Sequence, residues 1–119
     1  MNRRQKGIGG LLGAIAASLA VMSGLHLGGV VHGGSGPYTP SKAGIAEAVI
    51  AGVLALAAGA QFRAHLRGRA IGLGATGFAI AGFIVGLSIS ASGGPAVDIA
   101  YHATILPILV IALGLQLRR

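Results

Sequence analysis

The sequence predicts an all-α membrane fold, with four transmembrane helices in an up-down bundle and a single domain over residues 1–119. Three observations carry this reading. Only 9% of the residues are charged, whereas a soluble domain carries roughly 25%. The chain is 54% hydrophobic before its 22 glycines are counted. Its apolar residues fall into four runs, each close to the ~20 residues that cross a bilayer at the helical rise.

The first run covers residues 8–31, behind the basic tip Asn2-Arg3-Arg4-Gln5-Lys6. A secretory signal with Ser18-Leu19-Ala20 as its cleavage site is the rival reading, but the run exceeds the usual apolar core of ~7–15 residues. His32 to Pro40 is a turn-rich loop. Thr39-Pro40 reads as an N-cap followed by proline at the first helical position. The second span covers 41–61, and Arg63, His65, Arg67 and Arg69 form a basic connection. The third covers 70–91. Ser92-Gly93-Gly94 turns the chain, Pro95 opens the fourth span, and that span closes at Leu117. Pro107 falls inside it, where it frees the carbonyl of Ala103 and is expected to kink the helix.

Orientation follows from the basic residues. The N-terminal tip, the middle connection and the C-terminus hold every Lys and Arg except Lys42. The positive-inside rule puts those three regions in the cytoplasm, so a multi-pass protein of the inner or plasma membrane with both termini inside is expected. The net charge of +7 is therefore a topology signal. With no interleaved basic and aromatic residues on a polar surface, nucleic acid is not an expected partner. Cysteine is absent, which excludes disulfides, thiolate metal sites and thiol catalysis. The glycines of Gly7-Ile8-Gly9-Gly10 lack the strand and the Lys-Ser/Thr ending of a phosphate loop.

A possible internal repeat aligns the second span with the fourth. It pairs Ile50 with Ile105, Leu54 with Leu109, Ala57 with Ala112 and Gln61 with Gln116. Glu47 then falls on His102, and the fold becomes two repeated helical hairpins. Small residues also recur every four positions, at Ala16, Ala20, Gly24 and Gly28 and at Gly82, Gly86 and Ser90. Such ridges allow close helix packing, within the bundle, in a homo-oligomer or against a partner membrane subunit.

The ionisable residues inside the spans are His26, Glu47, Asp98 and His102. Such residues are expensive in lipid and point to function. His26 should lie roughly 8 Å below the outer end of its span, and Glu47 and His102 roughly 10 Å past their helix-opening prolines. Three spans thus contribute to one layer. Asp98, Tyr101 and His102 share a helix face through spacings of three and four.

Four chemistries fit. Two imidazoles and two carboxylates, from His26, Glu47, Asp98 and His102, suit a divalent metal such as zinc, copper or non-haem iron. A carboxylate paired with histidine in an apolar pocket suits acid–base chemistry on a lipophilic small molecule. Glu47 and His102 would exchange the proton, Asp98 would orient His102, and His26 and Tyr101 would contact the ligand. Bis-histidine haem ligation by His26 and His102 is the less favoured cofactor reading. In the non-catalytic alternative, Asp98 meets the helix dipole, Glu47 pairs with Lys42 or His102, and the polar groups clasp helices in a structural or accessory subunit. The sequence leaves enzyme and accessory subunit both open.

Size and span count resemble the small multidrug resistance exporters, which use an intramembrane Glu for proton coupling. Those carry it in the first span with aromatic companions, whereas here Glu47 is in the second. The Ala/Gly/Arg-rich composition is similar to that of DoxX-like and other four-helix membrane proteins of high-GC bacteria.

Overall fold

A computed structural model describes residues 2–118. Among these the fold is all-helical, with α1 Arg3–Leu27, α2 Pro40–Phe62, α3 Gly68–Ala91 and α4 Ala96–Leu117. All four helices are long and apolar enough to cross a bilayer. The molecule measures 45 × 23 × 17 Å, and its long axis matches the ~40–45 Å of a bilayer with its headgroup regions. Each helix turns large apolar side chains outward, among them Val21, Leu56, Ile84 and Ile111. In water this surface would be a liability, and in lipid it is solvated. The architecture is that of a multi-pass membrane protein.

The helix ends refine the sequence expectations. α1 starts at Arg3, well before Ile8, because Asn2 and Gln5 form a reciprocal capping box that satisfies two otherwise orphaned backbone donors. It stops at Leu27, earlier than residue 31. Gly28 caps it, and Gly29 takes a left-handed φ of 78°. Thr39 occupies the N-cap of α2 with Pro40 next, but its side chain makes no capping bond. Pro95 is itself the N-cap of α4, and the helix begins at Ala96. α4 runs on through Pro107.

The core is a column of apolar side chains along the bundle axis. Leu12 and Leu19 of α1, Leu54 of α2, Ala79 and Phe83 of α3 and Leu109 of α4 are fully or almost fully buried. Of the small-residue ridge on α1, Ala16 packs inward, while Ala20, Gly24 and Gly28 face outward. The pairs matched in the internal alignment share burial, down to Gln61 and Gln116. Equal burial follows whenever two helices turn one face to a common core, so it does not establish repeated hairpins.

Polar groups close the column at both ends. At the end bearing the termini, Gln116 Nε2 donates to Thr76 Oγ1 at 2.8 Å and Gln61 Nε2 donates to the Gly68 carbonyl at 2.7 Å. At the other end the α1–α2 and α3–α4 loops touch, where Ser35 N donates to the Gly93 carbonyl at 2.8 Å. Gly34 permits this approach. Its φ is 96°, and a Cβ there would lie 2.9 Å from the Gly93 carbonyl oxygen. The joined loops hold Tyr38 over the bundle end, 4% exposed.

Candidate metal centre

The centre is built outward from His26, in the last turn of α1. Its Nδ1 lies 2.9 Å from the Met22 carbonyl of its own helix. Glu47 Oε1 of α2 is 2.6 Å from the same nitrogen. A ring protonated at Nδ1 donates toward these neighbours and presents Nε2 as a lone pair. That lone pair faces Asp98 Oδ1 of α4 at 3.2 Å. Two acceptors so placed repel unless a proton or a cation lies between them.

Asp98 is fully buried. Its Oδ2 accepts a 2.5 Å hydrogen bond from Ser90 Oγ of α3. Three helices, α1, α3 and α4, therefore meet at one carboxylate. His26 Nε2, Asp98 Oδ1 and both oxygens of Glu47 are buried with no aligned hydrogen-bond partner. Such groups normally find partners, and each one left without costs about 1–3 kcal/mol, more when charged. One donor atom each from His26, Glu47 and Asp98 lies within 4.8 Å of the others. This buried group can hold a metal ion. The hydrogen bond from Nδ1 to a backbone carbonyl is the outer-shell contact that orients a metal-ligating imidazole.

His102 stands beside this group. Its Nδ1 is 2.8 Å from the Asp98 backbone carbonyl and 3.7 Å from Asp98 Oδ1. A Cβ on Gly86 would sit 2.6 Å from its Nε2, so that nitrogen points at α3. Phe83 packs on the ring, with centroids 4.9 Å apart. The four-ligand set expected from sequence thus separates into a three-residue group and an adjacent imidazole. A haem held between His26 and His102 does not suit this arrangement, because His26 Nε2 is turned to Asp98.

Other expected contacts also differ. Among the described residues Glu47 lies against His26, and neither Lys42 nor His102 pairs with it. Tyr101 hydrogen-bonds Ser18 of α1 at 2.8 Å, away from the three-residue group. Asp98 stands in the first turn of α4, as the sequence reading of helix-end chemistry expects, and it also touches α1 and α3.

A cavity of about 250 Å³ adjoins the centre between α2, α3 and α4. Glu47, Asp98 and His102 line it, with Tyr38, Phe83 and Ser90. Tyr38 and Ser90 were not among the site residues expected from sequence. Ser90 had a usable signal, since it lies one residue from the end of α3 and Asp98 lies near the start of α4 across a short turn. Tyr38 had none, because only the contact between the loops brings it in. Burial, reinforced by the negative charges of Asp98 and Glu47, pushes the Tyr38 phenol up to about 12.

Fold and site together define a class, a four-span membrane protein with a buried His-Glu-Asp group that can hold a metal. No protein-family model, curated protein or solved structure matches this chain.

Proposed function

We propose that the protein binds a divalent first-row transition cation through His26, Glu47 and Asp98. The observation that carries this reading is the convergence of unpartnered buried atoms from three helices: an imidazole lone pair and the oxygens of two carboxylates. Two buried carboxylates beside two histidines lack compensating charge unless protons or a cation supply it. One imidazole with two carboxylates suits zinc, iron or manganese. His102, free at Nε2 on the cavity wall, is the residue suited to exchange a proton with a bound ligand, and Glu47 is the second candidate for acid–base work.

The core disfavours transport through the bundle. Leu54, Phe83 and Leu109 fill the axis directly beyond the site, and no acidic residue lies at the far end. Binding and chemistry at one face suit the geometry better. The basic residues support an orientation with that face outward and both termini in the cytoplasm of a cell's inner membrane.

The test is a zinc titration of purified, metal-stripped protein in detergent. One zinc per chain is expected, with affinity lowered at least about 100-fold in Asp98→Asn and helical circular dichroism unchanged. Failure of folded wild-type protein to take up zinc, iron or manganese rejects the reading.

One observation favours a second reading. Ser90, Asp98, His26 and Glu47 form a continuous contact chain across all four helices without any ion. An accessory or structural subunit could use it as a clasp. In that case His26→Ala melts the bundle and purified protein holds no metal.

A further inference from the structure

We infer that the cavity beside the carboxylates is a pocket for a small lipophilic molecule with one oxygen head group, an alcohol, enol or carbonyl, which completes the coordination of the bound cation. This rests on the metal reading above and names the ligand class of the same site. A structural zinc takes four protein ligands, whereas three leave a position for an exogenous ligand. The protein offers three, and two of them, Glu47 and Asp98, form part of the cavity wall. The open position therefore borders the cavity.

Shape and polarity specify the occupant. Gly82 and Gly86 of α3 line the cavity and let Ile50 and His102 pack close against that helix. A Cβ on Gly82 would approach Ile50 Cδ1 to 2.7 Å. Ile50, Phe83 and Ile89 supply apolar walls. A volume of about 250 Å³ holds one ring or a short branched chain. At the outer end, the hydroxyls of Tyr38 and Thr39 are buried, and neither has a hydrogen-bond partner. Tyr38 is nine-tenths buried and lines the cavity. An unsatisfied phenol is costly, and an oxygen on the occupant relieves it by accepting its hydrogen bond. Metal on one side and phenol on the other thus both call for an oxygen on the occupant, while the rest of the pocket calls for hydrocarbon.

The test uses protein loaded with Co2+ in detergent, with benzyl alcohol as the probe of a single oxygen head on an apolar ring. Saturable change in the cobalt visible bands is expected. Gly82→Leu displaces Ile50 into the cavity at a position outside the ligand group. It should weaken the probe at least about tenfold and leave cobalt affinity unchanged. Tyr38→Phe, a gentler change, should weaken the probe roughly fivefold through one lost hydrogen bond, again with cobalt retained. Cobalt that binds while its spectrum ignores the probe overturns this inference alone. So does a probe that binds both variants as tightly as wild type. Failure to bind cobalt overturns the metal reading and this inference with it.

Discussion

Asp98 joins two other helices to its own. One oxygen faces the His26 lone pair, the other accepts from Ser90, and its backbone carbonyl holds His102. Ser90 therefore orients a metal ligand without touching the ion. Losing such a partner typically costs 10–100-fold in metal affinity, so Ser90→Ala should weaken zinc binding by about that factor and leave helicity intact. Competition against a chromophoric chelator measures it. Tyr38 offers a test in the metal-free state. A phenol raised from 10 to about 12 keeps its proton longer in the folded protein than in the unfolded chain. Its contribution to stability is whole below the unfolded value and fades as pH climbs from 10 toward 12. In Tyr101→Phe, which leaves Tyr38 as the sole tyrosine, tyrosinate absorbance at pH 10.5 should stay near zero until the fold is lost, against about three-quarters ionisation for a free phenol.

At the scale of elements, the site depends on how closely α1 and α2 approach. Gly44 of α2 lies against the end of α1, and a Cβ there would come within 2.8 Å of Leu27 Cγ and 3.2 Å of His26 Cβ. Ser23 Oγ reinforces the seam by donating to the Gly44 carbonyl at 2.6 Å. Gly44→Val should push α1 away and weaken zinc binding by at least about tenfold, though it alters no polar group. The same titration checks it. The four spans were legible because hydropathy and punctuation agree, with Pro40 marking the start of α2, whereas the apolar run through Val30 and Val31 hid the end of α1 at Gly28. The capping box was legible too, as Asn2 and Gln5 at a spacing of three, but the basic tip obscured it. Which layer the ionisable residues share was readable from helical rise. Which atoms meet was not, because rise gives depth and leaves rotation about each helix axis undetermined. His102 shows this: its depth suits the group, while its Nε2 faces Gly86.

Across the whole molecule, the two ends differ in charge and chemistry. Both carboxylates lie near one end, and all Lys and Arg except Lys42 lie toward the other. The absence of cysteine makes orientation directly measurable. Ser35→Cys should react with a membrane-impermeant maleimide on intact cells, and Arg63→Cys only after permeabilisation. The opposite pattern would turn the site toward the cytoplasm. The central claim is the metal itself, and zinc K-edge X-ray absorption on the loaded protein tests it most directly. The account predicts one zinc per chain with only nitrogen and oxygen neighbours at about 2.0–2.2 Å, and the scattering of a single imidazole that His26→Ala removes. A zinc edge indistinguishable from the hydrated ion, or no retained zinc in the folded protein, would contradict it.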